Sequence, residues 1–233
     1  DLHRVGRRQR QMCIRDRHDA VCRQSTHVLY EAREVECNLR IGRLIAAISR
    51  CHGLSLTDVV LSRVSDSPQY DGAPTWSPDG QWLAYETYVE ENLEIVIQSV
   101  SDPTQAPFRL TNDPAADYSP KWSPLGRQIA FVSTTSGEEE IWLANLDRVE
   151  NRFSNFSQNK TAIDGYPDWS PDGRYLAWTS QQDGLDNLYV RENTIPASPA
   201  RLIGTGRSAA WSPDGSVLAA VLLTPDQNAL VAY

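Results

Sequence analysis

The sequence predicts an all-β protein: a β-propeller of four-stranded blades, three full and a fourth partial, preceded by a short helical N-terminal segment. Three observations predict it. Four tryptophans, Trp76, Trp122, Trp169 and Trp211, recur at spacings of 46, 47 and 42 residues, a period that marks a propeller or a solenoid. Each is followed by the same turn-forming phrase. After each turn come short apolar runs rich in β-forming residues, of strand length and bounded by further turn residues.

Two pieces of different chemistry make up the 233 residues. Residues 1–63 carry 12 basic and 7 acidic residues, whereas residues 64–233 carry 10 basic and 23 acidic ones. All four cysteines and all four histidines lie in the first piece, and all seven tryptophans lie in the second. This places a domain boundary at 63/64. No run of eighteen apolar residues exists, so no membrane-spanning helix is expected. The charged N-terminus lacks the apolar core of a signal peptide.

In the first piece, Val35, Leu39, Leu44 and Ile48 have helical spacing, and Gly53 punctuates them before "LSLTDVVLSRV". A helical hairpin or leader is expected. On its basic background the pair also resembles a helix-turn-helix, which would make the chain a DNA-binding protein with a propeller sensor. The stretch "QMCIRDR" resembles translated adapter sequence, and on that reading residues 1 to about 25 carry no biology. Cys13, Cys22, Cys37 and Cys51 form no Cys-x-x-Cys pair, so a zinc site is not expected.

The second piece is read copy by copy. The turn phrase is Ser-Pro-Asp-Gly at Pro78-Asp79-Gly80, Pro171-Asp172-Gly173 and Pro213-Asp214-Gly215. In the second copy Leu125 interrupts it between Pro124 and Gly126. Proline presets the first turn position, aspartate suits the next and glycine releases the chain. A strand follows each turn ("QWLAYET", "RQIAFVS", "RYLAWTS", "SVLAAVL"). A second follows in the first three copies ("LEIVIQSV", "EEIWLANL", "DNLYVRE"), and a shorter one closes them ("PFRLTN", "FSNFSQN", "ARLIGT"). With the strand that carries the tryptophan, each unit has four strands, the count of a propeller blade. Eight residues after each tryptophan stands an alanine (Ala84, Ala130, Ala177, Ala219), as crowded inner strands require. The fourth copy is expected to stop before its closing strand, as in a fragment of a longer propeller.

The phrase Pro-x-Trp-Ser-Pro-Asp-Gly, with its "EIWL"-type strand and "RLTN"-type closing strand, resembles the repeat of TolB-type, WD40-like β-propellers over residues 70–233. The resemblance implies an extracytoplasmic, periplasmic or extracellular, module that binds proteins and has no catalytic site. It implies a protein partner of the cell-envelope lipoprotein type, and no nucleic acid at the propeller. Similar propellers precede the catalytic domain of prolyl-oligopeptidase-like serine peptidases, which is the alternative.

The propeller half has neither His nor Cys. The usual general base, thiol nucleophile and commonest metal ligand are therefore missing there. No nucleophile elbow, phosphate loop or zinc-protease motif occurs. One pattern remains. Five residues before the tryptophan stands an aspartate in three copies, Asp71, Asp117 and Asp164, with Gly206 in the fourth. Each aspartate is expected either to cap its own turn or to join an anionic collar for calcium or a basic peptide. No other cofactor is expected.

Overall fold

The computed structural model describes residues 29–30, 61–65, 67–102, 104–195, 197–223 and 228–233. Two compact units divide the chain, Asp1–Ser67 and Pro68–Tyr233. In the first, β1 (Leu29–Tyr30) pairs antiparallel with β2 (Leu61–Ser62). The expected first helix and most of the second lie outside the described residues, among which there is no helix. Leu61 and Ser62, at the end of the expected second helix, are extended because they pair with a strand.

The second unit is an all-β propeller section of successive antiparallel sheets. Blade 1 is β3 (Asp71–Trp76), β4 (Trp82–Val89), β5 (Asn92–Ser99) and β6 (Phe108–Arg109). Blade 2 is β7 (Asp117–Trp122), β8 (Gln128–Ser133), β9 (Glu140–Asn145) and β10 (Phe153–Asn155). Blade 3 is β11 (Ile163–Trp169), β12 (Tyr175–Gln182), β13 (Leu185–Glu192) and β14 (Arg201–Thr205). Blade 4 comprises β15 (Arg207–Trp211), β16 (Leu218–Leu223) and β17 (Asn228–Ala232). The last strand was not expected from the sequence. "NALVA" is short and follows a prolyl segment, but the open edge of β16 pairs with it from Ala219 to Leu223.

The phrase after each tryptophan forms the same glycine-closed turn four times. Gly80, Gly126, Gly173 and Gly215 donate their backbone N–H to the carbonyl oxygens of Ser77, Ser123, Ser170 and Ser212 at 2.8–2.9 Å. These glycines have φ of 67–77°, which L side chains rarely adopt. The turn aspartate accepts the serine hydroxyl and the amide two residues on, as Asp214 does at 2.6 Å from Ser212 Oγ and 3.1 Å from Ser216 N. These bonds, led by that from Ser212, hold the Asp214 carboxyl down at about 2. Leu125 cannot form this bridge, and its amide donates to Ser123 Oγ instead at 3.3 Å.

The hydrophobic cores lie between blades. Ala84, Ile95, Ile97 and Leu110 of blade 1 meet Ile129, Phe131 and Ala144 of blade 2. Ala130, Val132, Ile141, Leu143 and Phe156 meet Trp169, Leu176 and Trp178. Ala177, Leu188 and Val190 meet Ala209, Leu218 and Ala220. Successive residues of β8 thus serve opposite neighbours: Ile129 and Phe131 face blade 1, Ala130 and Val132 face blade 3. That is why these strands read as continuous apolar runs rather than as alternation. The alanine eight residues after each tryptophan pairs with the residue just before that tryptophan in all four blades (Thr75, Lys121, Asp168, Ala210).

Each inner strand is bulged at one place. The register shifts between Gly72 and Thr75, Tyr118 and Lys121, Gly165 and Asp168, and Arg207 and Ala210. Inside each bulge one non-glycine residue is left-handed: Ala73 (φ 45°), Ser119 (51°), Tyr166 (55°) and Ser208 (52°). A left-handed L residue costs about 1–2 kcal/mol. Part of the return is a bond across the joint. Ser119 N donates to Glu86 Oε2 of blade 1 at 2.7 Å, and Ser208 N to Thr179 Oγ1 of blade 3 at 3.2 Å.

Candidate functional site

Asp71 opens β3, Asp117 opens β7, Asp164 is the second residue of β11, and Gly206 precedes β15. All four lie at the end where inner strands begin and where the β4–β5, β8–β9 and β12–β13 hairpins turn. Asp117 is 1% exposed and Asp164 0%, so their carboxyls sit inside the joints between blades. Neither accepts a hydrogen bond from its own turn. Burial pushes Asp117 up to about 7, with Asp113 and Glu94 adding to it, against the hydroxyls of Ser133 and Thr111. Burial also raises Asp164, with Glu140 adding to it, against the hydroxyls of Ser180 and Ser157. Among the described residues, no group of three His, Cys, Asp or Glu side chains is placed to hold a metal ion.

The same end carries a second set of residues, of which the sequence offers only the run Glu138-Glu139-Glu140, expected as a solvated tip; Glu138 is exposed there, but Glu140 is fully buried. The hairpin tips bear Glu90 and Glu91 in blade 1, Glu138 and Glu139 in blade 2 and Asp183 in blade 3. Three tyrosines accompany them: Tyr70, Tyr118 and the left-handed Tyr166, which is 54% exposed. Tyr70 OH donates to Glu86 Oε1 at 2.9 Å and its ring meets Tyr88 edge-on at 6.1 Å. Burial raises the Tyr118 phenol above its ordinary range, and so do the carboxylates of Glu139 and Glu86, with Tyr166 nearby. Lys160 is exposed at this end, while Arg109 and Arg207 are each tied into an ion pair of 2.8 Å, with Glu94 and Asp186. The arrangement is an acidic surface with aromatic faces, suited to a cation on a flexible stem. A signal was present: "YDGAP", "ADYSP" and "DGYPD" each place a tyrosine within two residues of the aspartate. Glu86 carried none, because it comes from the second strand of blade 1, and Glu139 was legible only as part of an acidic connection.

The opposite end holds an open hollow of about 510 Å³ lined by Phe108, Val149, Asn151, Arg152 and Phe153. Arg152 stacks over the Phe108 ring at 5.7 Å. Among the described residues that line it there is no carboxylate.

A family profile described as the TolB beta propeller domain matches residues 59–232. No curated protein matches in sequence. Among solved structures, TolB from Acinetobacter baumannii is similar with a TM-score of 0.63 and 20% identity, over 76% of this chain and 44% of that one. An oligogalacturonate lyase from Vibrio parahaemolyticus is similar with a TM-score of 0.57 and 12% identity, over 72% and 51%. A puromycin-hydrolyzing peptidase from Mycobacterium tuberculosis is similar with a TM-score of 0.54 and 19% identity, over 72% and 31%. The chain thus spans about half or less of the length of these proteins, and the likeness is one of fold.

Proposed function

Because the chain belongs to the TolB β-propeller domain family, we propose that it is a non-catalytic protein-binding module of the bacterial cell envelope, acting in the periplasm. The observation that carries this reading is the acidic, tyrosine-lined end of blades 1–3. Its carboxylates and phenols recruit a lysine- or arginine-bearing segment of a partner, of which an envelope lipoprotein is the type. The contact residues are Glu139, Tyr70, Tyr118 and Tyr166; Glu86, buried and bonded to Tyr70 OH and Ser119 N, holds Tyr70 in place. Asp71 opens the first inner strand behind them, whereas Asp117 and Asp164 are sealed in the blade joints and are not part of the contact surface.

The test is fluorescence anisotropy of the full chain with a labelled lysine/arginine-rich peptide and an acidic control of equal length. Binding of the basic peptide that weakens steeply with salt, and drops about tenfold or more in Glu139→Gln/Tyr166→Ala, is expected. Equal binding of both peptides, or an unchanged affinity in the variant, overturns the reading.

A second reading is a propeller belonging to a serine peptidase, favoured by the fold likeness to the puromycin-hydrolyzing peptidase. A nucleophile elbow in the reading frame beyond Tyr233 decides for it; further blades followed by a stop decide against it.

A further inference from the structure

The joints between blades carry a buried carboxyl site that is built the same way twice and differently the third time. At the joint of blades 1 and 2, Asp117 faces Thr111 and Glu94 of blade 1 and Ser133 of its own blade, with Asp113 close by. Glu94, itself fully buried, is well served: Arg109 Nη2 donates to it at 2.8 Å and Thr111 Oγ1 at 2.6 Å. Thr111 Oγ1 also accepts from Ile95 N at 2.9 Å. Its one proton is committed to Glu94, so it has none to give Asp117. Both Asp117 carboxyl oxygens are buried without a hydrogen bond.

At the joint of blades 2 and 3 the same positions recur. Asp164 faces Ser157 and Glu140 of blade 2 and Ser180 of its own blade. Glu140 Oε2 accepts from Asn155 Nδ2 at 2.7 Å and from Ser136 Oγ. Glu140 Oε1 and both oxygens of Asp164 are buried without a partner. Among the described residues no basic side chain acts on Asp164, and their ion pairs include neither Asp164 nor Glu140.

The third joint has none of this chemistry. Gly206 stands where the aspartate stood, and its amide donates to Asp186 O at 2.8 Å, as Asp164 N does to Glu139 O at 2.8 Å. Leu222 replaces the serine and Asn187 the glutamate. An ordinary ion pair, Arg207 to Asp186 at 2.8 Å, takes over.

An ionised carboxylate that is buried, within reach of hydroxyls but of no cation among the described residues, and next to another carboxylate is costly, and such a group neutralises instead. We propose that Asp117 and Asp164 are proton-binding sites that hold the first two blade joints together in their neutral acid form, so that these joints tighten as pH falls while the third does not respond. The proton comes from solvent as the joint closes, and the resulting O–H faces Ser133 Oγ in one site and Ser180 Oγ in the other. Both groups titrate above their unfolded value of 3.8, Asp117 near 7. As pH rises the unfolded chain releases these protons first. The contribution of Asp117 is full below about 4, declines up to about 7 and is level beyond, and that of Asp164 has the same sign.

The test is urea unfolding of the full chain and of Asp117→Asn/Asp164→Asn between pH 5 and 8. Relative to the variant, the wild-type folding constant is expected to fall about a hundredfold or more over that range. Parallel pH profiles overturn the proposal. Should the variant not fold, infrared spectroscopy of the wild type decides. A protonated-carboxyl C=O band present at pH 6 and gone by pH 8.5 supports the sites. Its absence at pH 6, with or without stabilisation by millimolar calcium or sodium, overturns them and leaves a water or a metal ion as the joint's filler.

Discussion

The indole Nε1 of Trp169 donates a 3.1 Å hydrogen bond to the carbonyl oxygen of Lys121, on the inner strand of the preceding blade. Trp169 is thus bonded as well as packed to the blade before it, whereas Trp122 Nε1 donates to Gly126 O of its own turn at 3.2 Å. Trp122 joins the blade 1–2 core, and Trp211 stacks on Tyr175 of blade 3 with ring centroids 6.4 Å apart. Trp169 is 6% exposed whereas Trp76, at the first inner strand, is 43% exposed. Trp169→Ala is expected to cost about 3–5 kcal/mol through the cavity and the lost bond. Trp76→Ala should cost about 1–2 kcal/mol, since less of its surface leaves water. Urea midpoints of the two variants check the difference, and equal losses refute this role of Trp169.

Gly206 cannot be returned to the aspartate of the other blades. Its φ is 149°, and a Cβ there would lie 3.1 Å from Ala220 Cβ and 3.2 Å from the Val221 carbonyl oxygen. The added carboxylate would also stand beside Asp186. Gly206→Asp is expected to lose about 2 kcal/mol or more. A melting temperature within a degree of the parent contradicts this account of the third joint.

Glu90 and Glu91 form the tip of the β4–β5 hairpin with φ of 52° and 71°. The equivalent tip of blade 3 uses Asp183 and Gly184, at 53° and 78°. Two left-handed positions in a two-residue hairpin favour Asn-Gly. Glu90→Asn/Glu91→Gly should therefore stabilise the protein by about 1–2 kcal/mol. It should also weaken binding of the basic peptide, because two charges leave the acidic end. Calorimetric melting and peptide anisotropy read the two effects separately.

Asp214 is a carboxylate held down at about 2 by its turn bonds to Ser212 and Ser216. Because its folded value lies below the unfolded 3.8, its contribution is present above about pH 4 and is lost as pH falls toward 2. The melting-temperature difference between wild type and Asp214→Asn should be constant from pH 5 to 7 and vanish near pH 2. A difference that persists at pH 2 contradicts the turn role. This slope is opposite to that of the buried aspartates, so the two kinds of carboxyl separate in one titration.

What the sequence determined by itself is the part of the fold written locally. Ser-Pro-Asp-Gly closes its turn with residues at most five positions apart, so the phrase alone specifies it, and the fourfold period then specifies blades. Even Leu125, the one departure, keeps its turn because Pro124 and Gly126 supply the backbone geometry. Only the tertiary structure decided what lies between blades. The bulged residues Ala73, Ser119, Tyr166 and Ser208 share an offset but no chemistry, since the constraint acts on their backbone and not on their side chains. The surroundings of Asp117 and Asp164 depend on Glu94 and Glu140, 23 and 24 residues earlier. A carboxyl five residues before a tryptophan reads the same whether it caps a turn or is sealed in a joint. Burial separates the two, and it is set by the packing of the neighbouring blade.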